Sequence, residues 1–381
     1  MSDNINYIKG SKENLVSIEL VQKELAQMLQ MENLNFLIGA GCSSYVKDNN
    51  ELGIPCMGGL FSNFVKQHEN FTIEKTPMKD HFDNNLERVL EIMGAILAAQ
   101  DVINVTDNIQ EKIKIIKSFL NNTIIKNLNS TEVLDIYQDF YLRISQRNRK
   151  NPINIFTTNY DLYNELALDN LGFPYNNGFT GSYKRKFSPA SYNYMYVENM
   201  NLNKNVWERV SNFFNLVKIH GSISWIRKDE NIWEQSPSTI KSDEETIMIY
   251  PTPLKDRSTL MTPYSDLFRF MENCLMKKNS ILITLGYSFS DEHINRIILN
   301  GLAIPSFKLV IFGDSNNISK LKAANDPRII IINSNDHIHY FHRFVKDLLP
   351  NIHPDTQENM SIKPINEFLN LLKQQGEQVH E

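Results

Sequence analysis

Short groups of small and polar residues follow apolar runs in this sequence, and their types could do chemistry. The first group, GAGCSS at residues 39–44, directly follows the apolar run Leu34–Ile38. Its glycines would let the backbone approach a ligand closely, and free N–H groups at the start of a following helix could hold a diphosphate. A plain tight turn is the alternative interpretation. The candidate binding residues in this group are Gly39, Ala40, Gly41 and Ser43.

A second group, TTNYD at residues 157–161, follows the apolar run Ile153–Phe156. Hydroxyls, an amide and a carboxylate at the carboxyl end of a strand lie where open α/β sheets bind ligands. The alternative is that an amide or carboxylate here caps a helix starting near Leu162. The candidate residues are Thr158, Asn159 and Asp161.

A histidine marks the third group, since His220 follows the apolar run Leu216–Ile219 and precedes Gly221. An imidazole transfers protons near neutral pH, so this position suits a general base. A structural hydrogen-bonding histidine is the alternative. His220 is the candidate catalytic base.

Two further groups have the same arrangement, GYSFSD at residues 286–291 and GDSN at residues 313–316. All five groups lie at predicted strand ends, so in a doubly wound sheet they would meet at one edge. One shared nucleotide site explains this arrangement better than five independent helix caps. The candidate residues added here are Gly286, Ser288 and Asp314.

The elements that must position these groups are buried strands. Short runs this apolar are typical of a parallel sheet covered on both faces, which predicts an α/β fold with a Rossmann-like, doubly wound sheet. The predicted strands are Leu34–Ile38, Ile153–Phe156, Leu216–Ile219, Ile281–Leu285, Leu309–Phe312 and Ile329–Ile332.

Helical spacing of apolar residues predicts the remaining organisation. An amphipathic helix is expected over residues 14–31, and an inserted helical subdomain over residues 60–150. Residues 172–250 are rich in Tyr, Asn, Gly and Ser and are predicted to form a loop-rich lobe over the site. We expect one nucleotide-binding domain over residues 1–345, followed by a helical extension over residues 346–381.

Composition narrows the class of protein. The net charge is −5, which argues against a broad nucleic-acid-binding surface. Three cysteines cannot build a disulfide framework or a four-thiolate zinc site. No apolar run approaches the roughly 18 residues of a membrane span, and residues 1–4 lack the pattern of a signal peptide. We expect a cytoplasmic protein without membrane or nucleic acid partners.

Two other features have competing interpretations. Asp336 with His337, His339 and His342 could suggest a metal site, but their spacing does not share one helix face. An ordinary helix start is preferred, and no metal is expected. Cys42 would have a lowered thiol pKa at a helix N-terminus, although we expect it to serve in packing.

Four of these groups, together with GIP at residues 53–55, resemble in their order the signature of sirtuins. More closely, they resemble the bacterial sirtuin-like NAD-hydrolysing domains of anti-phage defence systems. The resemblance covers residues 30–315 in patches. The motifs are GAGCS at 39–43, GIP at 53–55, TNYD at 158–161, HG at 220–221 and GYS at 286–288.

The sequence departs from the protein-deacylating sirtuins at two points. Cys42, Cys56 and Cys274 cannot supply their zinc ribbon, and the residues CMG at 56–58 stand where those enzymes continue GIP with Asp-Phe-Arg. These departures favour water, or the adenine of the substrate itself, as the nucleophile.

The resemblance implies cleavage of the bond between nicotinamide and ribose in NAD. On this hypothesis the turn at residues 39–44 would hold the diphosphate, and Asn159 would orient a ribose hydroxyl or the attacking water. His220 would accept a proton, and the resemblance implies that Asp161 holds the nicotinamide carboxamide. The residues expected near phosphate or the adenosine ribose are Ser288 and Asp314.

The resemblance also implies a biological setting. An NAD glycohydrolase of this kind would deplete cellular NAD during phage infection, causing abortive infection. The resembled stand-alone subunits are paired with a HerA-type hexameric ATPase, and we expect a homo-oligomer. Two alternatives stay open: a zinc-less deacylase or ADP-ribosyltransferase, and a non-catalytic module that senses NAD.

Overall fold

A computed structural model describes residues 5–351 except 48–49, 79–80, 103–104, 146–148, 202–205, 211, 240–245, 249–261 and 315. Its strands are β1 Ile5–Lys9, β2 Lys12–Val16, β3 Asn33–Ile38, β4 Ser44–Lys47, β5 Asn50–Gly53, β6 Thr72–Ile73, β7 Thr76–Pro77, β8 Ile153–Thr157, β9 Tyr175–Asn176, β10 Phe179–Thr180, β11 Arg185–Phe187, β12 Val197–Asn201, β13 Val206–Arg209, β14 Phe214–Lys218, β15 Gly221–Lys228, β16 Asn231–Glu234, β17 Thr246–Met248, β18 Ser280–Leu285, β19 Lys308–Phe312 and β20 Ile329–Asn333. Its α-helices are α1 Ile18–Met28, α2 Met57–Gln67, α3 Leu86–Ala99, α4 Ile109–Asn127, α5 Thr131–Ile144, α6 Tyr163–Leu171, α7 Tyr264–Leu275, α8 Glu292–Gly301, α9 Ser319–Ala323 and α10 Phe341–Arg343.

The main sheet has the strand order β2-β1-β20-β19-β18-β3-β8-β14-β9 among the described residues. All neighbours from β20 to β9 are parallel, whereas β1 pairs antiparallel with both β20 and β2. The chain starts the parallel part at β3, adds β8 and β14 on one side, and then adds β18, β19 and β20 on the other. This reversal between β3 and β18 is the switch point of a doubly wound sheet. The predicted α/β fold class and all six predicted strands are confirmed.

The parallel strands are apolar because the sheet is covered on both faces. Every residue of β3, β8, β14 and β18 is buried. Successive side chains of a strand point to opposite faces, so Phe36 packs into one hydrophobic cluster and Leu37 into the other. The carboxyl ends of these four strands therefore lie side by side at one edge, which we call the carboxyl edge.

The predicted opening helix over residues 14–31 begins later in the structure. Helix α1 begins only at Ile18, and Leu15 lies in β2, where its side chain is 68% exposed. The helical spacing that included Leu15 was misleading, because residues 12–16 form a hairpin with β1 whose first strand pairs with β20.

Between β3 and β8 the chain forms the predicted helices α3, α4 and α5, preceded by α2. The side-chain amides of Asn85 and Asn108 cap α3 and α4 by accepting backbone N–H hydrogen bonds. Among the described residues, no helix is both long enough and apolar enough to cross a bilayer.

The segment expected to be a loop-rich lobe contains an antiparallel sheet of order β10-β11-β16-β15-β17. Its strands other than β15 have two to four residues. Aromatic rings pack between the strands, with the ring centroid of Trp225 lying 5.1 Å from that of Phe179 and 6.0 Å from that of Phe187. Strands of two to four residues are too short to show an alternating pattern in the sequence, which is why most of this sheet was missed. Of the helical extension expected over residues 346–381, residues 352–381 lie outside the described residues.

Candidate active site

The glycine turn, which we define as residues 39–43, contacts the loop that follows β18. The N–H of Gly41 donates to the carbonyl of Gly286 across 3.0 Å. A Cβ atom on Gly39 would lie 2.4 Å from that carbonyl oxygen, closer than side chains tolerate. The glycines therefore let two backbone loops meet at the switch point between β3 and β18.

No α-helix follows the glycine turn, so the expectation of a helix start at this point is wrong. Residues Ala40–Cys42 form a short 3₁₀ turn that passes directly into β4. The chain leaves the turn as a strand because β4 pairs antiparallel with β5. Diphosphate binding by a helix N-terminus here is therefore unsupported. Within the turn, the N–H groups of Gly39, Gly41, Cys42 and Ser43 already donate to backbone carbonyls.

Asn159 connects the turn after β8 to the glycine turn. Its side-chain Nδ2 donates to the carbonyl oxygen of Gly39 and to Ser43 Oγ, both at 3.0 Å. These two hydrogen bonds use both amide protons and fix which end of the amide is the oxygen. Within the part of the chain that the structure describes, the buried Oδ1 of Asn159 has no hydrogen-bond partner. A buried acceptor of this kind is costly unless a ligand or water satisfies it.

Asp161 is buried and already hydrogen bonded through both carboxylate oxygens. Oδ2 accepts from Ser43 Oγ at 2.7 Å, and Oδ1 accepts from the N–H of Tyr163 at the start of α6 at 3.0 Å. Burial raises the pKa of this carboxyl, while the nearby Lys218 opposes the shift. Asp161, one residue before the N-cap Leu162, thus accepts from the first N–H of α6, and it also positions Ser43. A contact with nicotinamide would require exchange of one of these hydrogen bonds.

A buried ion pair lies behind these residues. Lys218 Nζ is 2.9 Å from Glu165 Oε1 and also donates to the backbone carbonyl of Asp161. Lys218 is fully buried, and burial raises the pKa of Glu165. Through its hydrogen bond to the carbonyl of Asp161, the ammonium group therefore fixes the main chain of the TNYD turn, residues 158–161.

His220 follows β14 and contacts a residue from the far side of the switch point. Its Nε2 lies 3.0 Å from Asp291 Oδ2, and both residues are buried. The other carboxylate oxygen, Oδ1, accepts from the N–H groups of His293 and Ile294, which makes Asp291 the N-cap of α8. The structure therefore brings the histidine of the HG motif into contact with the acid of the GYSFSD motif, two groups that were predicted separately.

The other predicted residues take different positions. The N–H of Thr158 donates to the carbonyl of Ile38 at 3.2 Å, which joins the ends of β8 and β3. Ser288 is exposed, with its Oγ 2.9 Å from Ser290 Oγ. Asp314 is exposed and lies 3.6 Å from His339 Nε2. The structure thus brings together the glycine turn, Thr158, Asn159, Asp161 and Gly286, and it joins His220 to α8. The described contacts of Ser288 and Asp314 are with other residues.

The histidines near the end of the last strand are grouped differently from the sequence expectation. Potential ligand atoms of Asp314, His337 and His339 lie within 4.8 Å of one another, whereas His342 packs on Tyr45 with ring centroids 4.6 Å apart. Burial lowers the pKa of His339. Asp314, not Asp336, is therefore the acid beside these histidines.

Cys42 is a packing residue, as expected, but its pKa moves in the opposite direction from the helix-terminus argument. The thiol is buried, and burial raises its pKa well above the ordinary value. The expected lowering fails because a three-residue 3₁₀ turn replaces the helix. A buried thiol of raised pKa is a poor nucleophile.

Sequence reasoning missed a polar ladder inside the sheet. Asn154 Nδ2 donates to Asn35 Oδ1, and Asn215 Nδ2 donates to Asn154 Oδ1, both at 2.8 Å. A signal was present, because LNF, INI and FNL place an asparagine between apolar residues at corresponding positions of three strands. The ladder fixes the register of β3, β8 and β14, and thus which side chains reach the carboxyl edge.

The fold and this edge define a Rossmann-like α/β protein with its polar residues gathered at the switch point. Residues 153–308 match the family model of the SIR2-like domain, a range that contains Asn159, His220 and Asp291 but not the glycine turn. No curated protein sequence matches the chain.

Solved sirtuin structures resemble the chain at low identity. A structure described as Sir2–p53 peptide–NAD⁺ matches with 11% identity and a TM-score of 0.36, covering 78% of this chain and 89% of that one. Sir2Tm bound to a propionylated peptide matches with 12% identity and a TM-score of 0.35, over 78% and 89%. A third, on the mechanism and regulation of Sir2 enzymes, matches with 10% identity and a TM-score of 0.35, over 86% and 96%.

Proposed function

We propose that this protein is an NAD glycohydrolase that cleaves the nicotinamide–ribose bond of NAD. The observation that carries the proposal is the amide of Asn159, whose two donors are engaged while its buried oxygen has no partner among the described residues. Such an oxygen accepts a hydrogen bond from a ribose hydroxyl or from a water molecule. It lies beside the glycine turn, at the switch point where doubly wound sheets bind nucleotides.

Further support comes from the match of residues 153–308 to the SIR2-like domain, which includes the two proposed catalytic residues, Asn159 and His220. The sirtuin structure described with NAD⁺ contains this ligand, which makes NAD the natural first substrate to test. Three cysteines in the whole sequence leave no four-thiolate zinc ribbon, so water is favoured over an acyl peptide as the nucleophile.

The reaction proposed is hydrolysis. Water attacks the ribose C1′, and the electron pair of the C1′–N bond leaves with nicotinamide as a neutral molecule. Asn159 Oδ1 holds the attacking water or a ribose hydroxyl, and His220 accepts the proton that is released. Positive charge on the ribose grows in the transition state, so a fixed amide oxygen stabilises the reaction most if it is preorganised. The hydrogen bonds from Asn159 to Gly39 and Ser43 supply that preorganisation.

Binding of the rest of NAD is proposed for residues at the same edge. The glycine turn and the loop at Gly286 are the segments assigned to the diphosphate, which would have to replace backbone hydrogen bonds of the turn in order to accept from its N–H groups. Ser288 and Asp314, both exposed, are assigned to phosphate or the adenosine ribose. In this proposal Asp161 contributes by holding Ser43, and it reaches nicotinamide only if that hydrogen bond is exchanged.

The proposed setting is anti-phage defence, in which depletion of cellular NAD arrests infected cells. This setting requires the enzyme to be inactive until triggered. We therefore propose a cytoplasmic homo-oligomer controlled by a partner chain, such as a HerA-type hexameric ATPase. These proposals derive from the motif resemblance, and co-purification followed by mass measurement of the assembly tests them.

The enzymatic proposal is tested by incubating purified protein with NAD and resolving nicotinamide, ADP-ribose and cyclic ADP-ribose by chromatography. Asn159→Ala and His220→Ala should lower nicotinamide release by about 10²–10⁴-fold. His68→Ala is the matched histidine control, because His68 packs on Phe64 within the helical insertion. Full turnover by His220→Ala would disprove the assignment. Binding of NAD without nicotinamide release, even with the partner present, would instead support the sensing module.

A further inference from the structure

We infer that Asp291 is a positioning residue that holds His220 with its proton on Nε2, leaving Nδ1 as the basic nitrogen toward the substrate. This inference rests on the proposed function for its catalytic consequence. It rests on geometry alone for the tautomer. Asp291 was identified in the sequence only as an acid in a loop after a strand.

The contact itself is short and shielded from water. His220 Nε2 and Asp291 Oδ2 are 3.0 Å apart, and each residue is 7% exposed. A carboxylate oxygen only accepts hydrogen bonds, so the imidazole nitrogen facing it must carry the proton. The second nitrogen of a neutral imidazole is then an acceptor, which is the state a general base requires.

The carboxylate is itself held in place. Asp291 Oδ1 accepts from the N–H groups of His293 and Ile294 at 3.0 and 3.3 Å, at the first turn of α8. The helix is anchored on the sheet by buried residues, including Ile294 and Ile298. One carboxylate oxygen is thus fixed to a packed helix while the other orients the imidazole.

The pair also connects distant parts of the sheet. His220 follows β14 and Asp291 lies beyond β18, and the strands β3 and β8 stand between them. At a spacing of about 4.8 Å per strand, β14 and β18 are roughly 14 Å apart. Since the glycine turn and Asn159 follow these two intervening strands, the His220–Asp291 contact fixes the imidazole relative to both sides of the proposed site.

The test uses two replacements that keep the helix cap. Asp291→Asn retains a capping oxygen but presents an N–H donor to His220, which favours the opposite tautomer. Asp291→Ser retains a capping hydroxyl but is too short to reach the ring. Asp266→Asn is the matched control, since Asp266 lies in the first turn of α7 and bonds to Thr262.

Two readouts separate positioning from folding. Nitrogen-15 spectra of histidine-labelled protein, assigned with His220→Gln, should show the Nε2–H tautomer in the wild type and its loss in Asp291→Asn. Turnover of NAD should fall about 10²–10⁴-fold in Asp291→Asn, mainly in kcat, with the melting temperature near that of the wild type.

The outcomes distinguish this inference from the proposed function. If the wild type shows the Nδ1–H tautomer or a freely rotating ring, the inference is wrong, whatever the activity. Unchanged kcat in both Asp291→Asn and Asp291→Ser would also overturn it. A wild type that shows the Nε2–H tautomer but never cleaves NAD would refute the hydrolase and leave the pair intact.

Discussion

Ser43 donates its hydroxyl proton to Asp161 across 2.7 Å and, because that proton is used, can only accept from its other neighbours. Those neighbours are Asn159 Nδ2 at 3.0 Å and the hydroxyl of Tyr137 at 3.1 Å. Burial raises the pKa of Tyr137 well above its ordinary value, so its phenol keeps the proton it donates. Tyr137 belongs to α5, so the helical insertion contacts the proposed site through this hydroxyl.

Replacement of Ser43 by alanine should disturb both the fold and the site. Asp161 would lose a hydrogen bond while remaining buried, which costs about 1–3 kcal/mol. Asn159 would lose one of its two anchors, so we expect NAD turnover to fall at least about tenfold, in the range of other positioning hydrogen bonds. Denaturant unfolding and the nicotinamide assay measure the two effects. Ser62→Ala is the control, since its Oγ bonds only to an exposed helix carbonyl, and equal behaviour of both variants would contradict the role.

Two glycine-to-alanine replacements should have opposite effects on stability. A Cβ on Gly39 would lie 2.4 Å from the carbonyl oxygen of Gly286, so this variant should be destabilised by about 1–3 kcal/mol or more. Gly94 lies within α3 with open space around the added atom, so alanine there should stabilise by about 0.5–1 kcal/mol. Thermal unfolding of both variants checks this pair, and a neutral Gly39→Ala would show that the two loops are not in contact.

Removal of one member of the buried ion pair should cost more than removal of both. Lys218→Met leaves Glu165 buried without its counter-charge, which costs about 3–5 kcal/mol. Lys218→Met combined with Glu165→Gln removes both charges, and we expect it to recover a large part of that loss. The measurement is a double-mutant cycle: the unfolding free energies of the wild type, Lys218→Met, Glu165→Gln and the double variant are compared. Simple additivity would mean that the two side chains do not interact.

The stability of the lobe should depend on pH through Glu234. Burial raises the pKa of this carboxyl from 4.5 to about 7, although its partner Arg185 opposes the shift. The folded state therefore binds a proton more tightly than the unfolded state. The stabilisation that protonated Glu234 contributes to the folded state is complete below pH 4.5 and is lost as the pH rises through 7. The shift corresponds to about 3 kcal/mol.

Glu234→Gln provides the comparison, because glutamine does not titrate. The wild type should lose stability relative to this variant between pH 5 and pH 8, and the difference should level off above that range. Urea unfolding at several pH values measures it. A difference that is constant with pH would show that the carboxyl is ionised throughout.

The parallel sheet could be predicted because its strands carry their signal locally. Runs such as Ile281–Leu285 are apolar at every position, which is the consequence of burial on both faces. The strand β2 carries no such signal, since nearly all of its residues are exposed, and Leu15 happened to extend the spacing of α1. Pairing with a distant strand, not local pattern, makes it a strand.

The candidate site was predictable in its parts but not in its contacts. Asn159, Asp161 and His220 were identified because polar residues after apolar strands are conspicuous in a sequence. That Asp161 would turn inward to Ser43, or that His220 would meet Asp291, depends on the order of strands in the sheet. Sequence spacing does not contain that order, and 71 residues separate His220 from Asp291.

The hairpin of β1 and β2 attaches the earliest strands of the chain to the latest one. Asn6 lies beside Asn333, 327 positions later in the sequence. At a synthesis rate of about 5–20 residues per second, the ribosome makes β20 roughly 15–65 s after β1. During that interval β1, which carries the buried residues Ile5 and Ile8, can pair with β2 but lacks its second native partner, β20. The nascent chain therefore carries a hairpin with one open edge for most of its synthesis, and the sheet closes on that edge only when β20 has been made.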